Sequence, residues 1–279
     1  VKLGEALMSA QQRLQSVSDS PRLDADLLMQ HLTGWSRAQQ LTRLQETLDP
    51  RDHAAFEALV ARRLRGEPVA YLIGERGFWS LSLKVTPEVL VPRPETELLV
   101  QWALDVVSGV QAPRIADLGT GSGAIALALA SERADALVEA VDLSNSALTV
   151  ARDNAQTLGL QRVRFLSGNW LEPLSQRYHL LVSNPPYIAS SDDHLAALRH
   201  EPLMALTDGA DGLNALREII SGAQDFLVPG GWLLVEHGYD QGAAVRALFA
   251  AAGFAEIETQ RDYAGHERAS GGRCAGVLT

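Results

Sequence analysis

Two regimes of hydrophobic spacing divide the chain. Over the first 75 residues apolar side chains recur every three or four positions, the spacing of amphipathic helices. Ser20-Pro21 supplies an N-cap followed by Pro at the first helical position, and Gly34 closes that helix. Asp49-Pro50 opens another, which carries Phe56, Leu59, Val60 and Leu64 on one face and stops at Gly66. The stripe Leu23, Leu27, Leu28, His31 and Leu32 is expected to be bundle core. The period then changes, because Phe78 to Val85 alternates apolar and polar and predicts a hairpin strand in a linker over 76–92. Pro94 suits the first turn of a helix running to about residue 108. From residue 113 short apolar runs predict strands near 113–118, 137–142, 162–167, 178–183, 231–236, 254–260 and 273–278, with helices between most of them. The expected organisation is a helical domain (1–75), a β-hairpin linker (76–92) and an α/β domain (93–279) with a doubly wound, seven-stranded, Rossmann-like sheet. Such sheets bind ligands at the carboxyl ends of their strands.

Composition narrows the class without naming a chemistry. A chain of 279 residues with 46% hydrophobic and 21% charged residues has the balance of a soluble globular protein. No apolar stretch reaches the length of a membrane span, and no basic-then-apolar leader is seen. The lone Cys274 excludes an intrachain disulfide and fits a reducing cytoplasm. Seven histidines show no ligand-type spacing, so no metal is expected. The net charge is −10, and residues 1–75, with nine basic and ten acidic side chains, carry only −1 of it. Neither part has the basic stripe that neutralising phosphates demands, which argues against direct nucleic-acid binding.

The chemistry is concentrated in two turns. The first is Asp117-Leu118-Gly119-Thr120-Gly121-Ser122-Gly123, between an apolar strand and an Ala/Leu helix. Its glycines let a ligand approach the backbone without Cβ interference. The spacing G-x-G-x-G differs from the G-x-G-x-x-G of dinucleotide sites, and NAD is the lesser alternative. Asp117 at the strand end would repel a pyrophosphate but suits a ligand ammonium group. Asp142 ends the next strand, 23 residues beyond Gly119, where an acid takes the hydroxyls of a ribose. Together these features point to S-adenosylmethionine. Trp170, after the third strand, is placed either to lie along adenine or to plug the end of the sheet.

The second turn is Asn184-Pro185-Pro186-Tyr187, after the strand Tyr178 to Ser183. Two prolines cannot extend a β-ladder, so the chain leaves the sheet in a stiff extended turn. The Asn184 side-chain oxygen and the Pro185 carbonyl are two acceptors beside the flat face of Tyr187, a set suited to a planar –NH2 group. Accepting both N–H hydrogens would localise the nitrogen lone pair and stabilise the charge that develops during methyl transfer. No general base is needed first, so no catalytic histidine is expected.

With Gly77-Phe78-Trp79-Ser80, Val91-Pro92-Arg93-Pro94-Glu95-Thr96-Glu97, Ile188 after the second turn, Glu236-His237-Gly238 and Arg261-Asp262-Tyr263-Ala264-Gly265, the chain resembles the peptide chain release factor glutamine methyltransferases along nearly its whole length. Many methyltransferases share the glycine turn, and nucleic-acid amino-methyltransferases share Asn-Pro-Pro-Tyr. The Pro-Arg-Pro-Glu-Thr-Glu run joined to both is far more specific. The resemblance implies methylation of the glutamine amide in a Gly-Gly-Gln loop of translation termination factors, with those factors as protein partners. It places cofactor contacts at Gly119 to Gly123, Asp142, Trp170 and Asn184, and substrate-amide contacts at Asn184 to Tyr187, with Asn184, Pro185 and Tyr187 catalytic. It also adds an antiparallel last strand and puts the Pro92–Glu97 turn over the methionine end of the cofactor, with Arg93 and Glu95 toward the substrate. Without it, Glu95 and Glu97 read as acids that complement a helix N-terminus. One departure is His200 before Glu201-Pro202, where the family leads one to expect an aromatic. The helical bundle is expected to dock the partner. Asp208-Gly209-Ala210-Asp211-Gly212 is expected to be turn and helix-cap chemistry, with lining of the substrate channel as the lesser alternative. Two other functions stay open at this point: an adenine or cytosine amino-methyltransferase for DNA or RNA, and a non-catalytic binding protein on the same scaffold.

Overall fold

The computed structural model describes residues 1–275, which form two compact units, Val1–Glu75 and the chain from Arg76 onward. The expected strand residues 276–278 lie outside the described residues. No helix among the described residues is long and apolar enough to cross a membrane.

The first unit contains α1 (Leu3–Leu14), α2 (Pro21–Thr33), α3 (Arg37–Thr42), α4 (Pro50–Leu64) and α5 (Val69–Ile73). Its core is built from Leu3, Leu7, Leu14, Leu28, Met29, Phe56 and Val60. Each such side chain removed from water contributes about 1.5–3 kcal/mol. The expected stripe on α2 requires correction. Leu28 is buried and Leu27 and Leu32 are half-buried, but Leu23 is 48% exposed and His31 faces solvent. The inward face is instead Ala25, Leu28 and Met29, with Asp24 turned in as well. Asp24 accepts from Arg63 Nε on α4 at 2.8 Å, so a part-buried ion pair stands on the face that a purely apolar stripe would fill.

A hairpin of β1 (Glu75–Phe78) and β2 (Leu81–Lys84) starts on the last residue of the first unit and runs into the second. The alternating run expected as one strand is therefore broken at Trp79-Ser80. Trp79 adopts φ +55, held by its backbone N–H on Glu97 and its indole N–H on Glu132. A single 3-10 turn, Pro94–Thr96, leads into α6 (Glu97–Val106). Then follow β3 (Arg114–Leu118), α7 (Ala124–Glu132), β4 (Leu137–Asp142), α8 (Asn145–Thr157), β5 (Arg164–Ser167), β6 (Tyr178–Ser183), α9 (Asn214–Gly222), β7 (Leu227–Glu236), α10 (Gly242–Ala251), β8 (Phe254–Arg261) and β9 (Glu267–Cys274).

The seven strands lie in the order β5-β4-β3-β6-β7-β9-β8, all parallel except β9, which is antiparallel to both neighbours. Alternate strand residues face opposite cores. Ile115, Leu180, Val182 and Leu234 pack with α6 and α7, while Ala116, Leu181, Leu233 and Val235 pack with α9 and α10. Both faces are covered, so the inner strands read as continuous apolar runs. The last strand starts earlier than its apolar signal suggests. Its centre is Gly271-Gly272, where an added Cβ would run into Trp102 on one face and into Phe249 and Phe254 on the other. Crowding from both layers admits only small residues there and hides the strand from a hydrophobicity reading.

Candidate active site

The strand order reverses between β3 and β6, and this switch point opens a crevice at the carboxyl ends of the strands. Leu118 pairs with Ser183 in register, and Ser183 Oγ donates to the Leu118 carbonyl at 2.6 Å. The next residues, Gly119 and Asn184, therefore leave the sheet side by side. That register unites two turns that the sequence keeps far apart.

Asp117 is fully buried at the end of β3. Its Oδ2 accepts from Thr120 Oγ1 at 2.7 Å and from the Ala126 N–H at 3.1 Å, while Oδ1 has no hydrogen-bond partner among the described residues. Burial pushes the carboxyl up to about 7, against the pull of those two bonds. A buried carboxylate oxygen without a donor is costly and calls for an explanation, and a ligand ammonium supplies one. Gly119, at φ +76, could not carry a Cβ without bringing it 2.9 Å from the Trp170 ring. Gly121, at φ +55, has open space where a Cβ would stand, and its N–H donates to Asp142 Oδ2 at 2.8 Å. Thr120, Ser122 and Gly123 hold the turn from behind. Thr120 braces Asp117, the Ser122 carbonyl accepts from Asn154 Nδ2 at 2.9 Å, and Gly123 packs against Leu127 and Ala151.

A cavity of about 440 Å³ lies in front, lined by Gly119, Gly121, Asp142, Trp170 and Asn184 among others. This volume falls in the ordinary range of small-molecule sites. Asp142 Oδ1 accepts from the Ser144 N–H at 2.9 Å, so each carboxylate oxygen holds one backbone donor and keeps a lone pair for a hydroxyl. Burial raises this carboxyl too, and the backbone bonds oppose the shift. Trp170 sits at φ +40, a strained conformation for a large side chain. Its ring both packs on the α9–α10 core and lines the cavity, so the two sequence readings of Trp170 are compatible.

Asn184 also lines a second cavity of about 290 Å³, with Arg93, Pro185, Tyr187, Leu198 and Leu206. Its Nδ2 donates to Thr96 Oγ1 at 3.1 Å, while Oδ1 makes no hydrogen bond among the described residues. Pro186 faces the larger cavity. Tyr187 is fixed at both ends, its hydroxyl donating to Glu236 Oε1 at 3.2 Å and its carbonyl accepting from Gln241 Nε2 at 2.9 Å. Burial raises the phenol well above its usual range. The Asp208–Gly212 loop packs on this turn. Asp208 accepts from the Ala210, Gly212 and Asn214 N–H groups, and Gly212 lies against the Tyr187 carbonyl.

The Pro92–Glu97 segment divides. Arg93 pairs with Glu201, whose other oxygen accepts from the Val91 N–H at 3.0 Å, so Arg93 fixes one wall of the smaller cavity. Glu95 is exposed and lines neither of these cavities; it belongs to a separate groove with Trp79 and Tyr263. Sequence reading missed Thr96 and Glu236 as parts of the site. Glu236 is 2% exposed at the end of β7, and its Oε2 has no partner among the described residues. Burial pushes this carboxyl up to about 7, against the hydroxyls of Thr96 and Tyr187. An acid at the carboxyl end of a strand was the signal available. The missed lining of the larger cavity includes Leu90, Asn214 and Glu218. His237 ties β7 to β9 through Ser270 Oγ at 2.9 Å, with its other ring nitrogen on the Gly238 carbonyl, and so serves the scaffold.

Residues 5–74 match the PrmC N-terminal domain, and residues 94–205 match the methyltransferase small domain. A protein named release factor glutamine methyltransferase from Burkholderia pseudomallei is 54% identical over 91% of this chain and 92% of its own length. One of the same name from Coxiella burnetii is 47% identical over 96% and 97%. Among solved structures, the catalytic domain of hMettl16 in complex with a 3′UTR hairpin superposes with a TM-score of 0.58 at 15% identity, over 79% of this chain and 84% of that one. That likeness establishes the methyltransferase fold and leaves the acceptor open. The close relatives, matched across both units, show that the chain belongs to the release factor glutamine methyltransferase family.

Proposed function

We propose that this chain transfers a methyl group from S-adenosylmethionine to the side-chain amide nitrogen of the glutamine in the Gly-Gly-Gln loop of peptide chain release factors, in the cytoplasm and without contacting nucleic acid. The observation that carries the reading is the position of Asn184, which borders both cavities with its Oδ1 unengaged and its Nδ2 held by Thr96. The residues present fit the cofactor. The unpartnered Asp117 Oδ1 suits its ammonium group, the Asp142 lone pairs suit its ribose, the open face of Gly121 leaves room for it, and Trp170 offers a ring to its adenine. When bound, it supplies a methyl group on a positively charged sulfur.

The chain's own residues then act on the acceptor. An amide nitrogen is a weak nucleophile because its lone pair is delocalised into the carbonyl. Asn184 Oδ1 and the Pro185 carbonyl accept its two hydrogens and turn the lone pair toward the larger cavity. These bonds strengthen as positive charge grows on the nitrogen, so they stabilise the transition state more than the bound amide. Tyr187, fixed by Glu236 and Gln241, presents its ring to the amide plane, and Arg93 with Glu201 holds the opposite wall. The rate then follows chiefly from alignment of the nitrogen with the donor. The helical unit docks the release factor. Labelled S-adenosylmethionine incubated with purified release factor tests this reading. Label should enter the factor, survive nuclease, and be absent when the Gly-Gly-Gln glutamine is replaced by alanine. Label in nucleic acid, or transfer indifferent to that replacement, would overturn it.

A further inference from the structure

The Asn184 amide is useful in only one of its two orientations. With Oδ1 toward the acceptor it accepts an N–H; rotated by half a turn, it presents its own NH2 to another NH2 and the contact becomes repulsive. Nothing within Asn-Pro-Pro-Tyr selects between these, because both ends of an amide are nearly equal in size. The selecting contact comes from the Pro-Arg-Pro-Glu-Thr-Glu run, where Asn184 Nδ2 donates to Thr96 Oγ1 at 3.1 Å. Thr96 is 4% exposed, out of reach of bulk water, so no solvent competes for this contact. The Thr96 oxygen is the acceptor of the Asn184 NH2, which leaves Oδ1 as the end that faces the acceptor nitrogen.

We infer that Thr96 is a positioning residue whose hydroxyl oxygen, by accepting from Nδ2, holds the Asn184 amide with Oδ1 toward the acceptor nitrogen. The inference rests on the proposed amide methylation for its meaning, but not for its geometry, and the two can be tested apart.

Thr96→Val keeps the shape and removes the hydroxyl, and Thr96→Ser keeps the hydroxyl. Thr96→Val should lower kcat by roughly 10–100-fold, the range spanned by loss of one buried hydrogen bond that holds a group acting on the transition state. Its S-adenosylmethionine Kd, measured by calorimetry, should stay within about twofold, and Thr96→Ser should restore most of kcat, because the group that matters contacts Asn184 and not the cofactor. Independently of activity, 15N-asparagine labelling reports the Asn184 side-chain NH2 signals, assigned by their absence in Asn184→Ala. These should exchange slowly in the wild type and in Thr96→Ser, and quickly in Thr96→Val. Unchanged kcat and exchange in Thr96→Val, or a Thr96→Ser protein as impaired as Thr96→Val, would overturn the inference. If the wild type failed to methylate release factor while NH2 exchange still depended on Thr96, the substrate assignment would fall and the positioning role would stand.

Discussion

Replacing Asp117 with Asn should make the ligand-free protein more stable at neutral pH and a poorer binder of S-adenosylmethionine. The carboxyl is fully buried with one oxygen unpartnered, and burial raises it from 3.8 to about 7. A carboxyl whose folded value lies above its unfolded value binds more protons in the folded state between the two. Stability is therefore lost as pH rises from about 4 to about 7. At about 1.4 kcal/mol per unit, the whole window corresponds to about 4 kcal/mol of destabilisation above pH 7, of which about 1 is already present at pH 4.5. Asn cannot ionise, and it can still accept from Ala126 and meet Thr120. The stability of Asp117→Asn relative to wild type should thus rise by about 3 kcal/mol between pH 4.5 and pH 8, whatever constant offset its buried NH2 introduces. Glu236 also titrates near 7, but it is present in both proteins and cancels in the difference. Urea unfolding of both proteins across that range measures the slope. Calorimetry at pH 8 should show cofactor binding weakened by about 1.5–3 kcal/mol, the usual worth of a hydrogen bond to a charged group. A stability difference that does not change with pH, or an unchanged affinity, would refute the reasoning.

Asn184→Ala should lower kcat by about 10²–10³ with little change in the cofactor Kd, and a rise in KM alone would remove the lone-pair argument. Gly119→Ala should weaken cofactor binding, because its Cβ would stand 2.9 Å from the Trp170 ring on a backbone at φ +76; calorimetry showing an unchanged Kd in the folded variant would mean that the turn and ring can yield. A chain beginning at Arg76, where the second compact unit starts, should bind S-adenosylmethionine normally yet methylate intact release factor poorly, and full activity would assign the helical unit another role.

Much of this protein was legible in its residues, because local geometry leaves local marks. Prolines at 185 and 186 cannot enter a ladder, acids stand one residue before the end of β3 and at the end of β4, and glycines at 119 and 121 take backbone conformations closed to most residues. These constraints act within a few residues, so they named the sheet, its crevice and the two turns. Other features depend on which segments meet across the fold. Asp24 lies on the inner face of α2, where Arg63 on another helix pairs with it. Gly271 and Gly272 form a central strand because Trp102, Phe249 and Phe254 crowd it from both layers, which no hydrophobic pattern records. Glu95 and Thr96 are neighbours in sequence, yet the turn sends one to solvent and buries the other against Asn184. Sequence determined which groups could accept and which backbone could bend. Only the tertiary structure decided which way a symmetric group such as the Asn184 amide must face, since that depends on a hydroxyl 88 residues away.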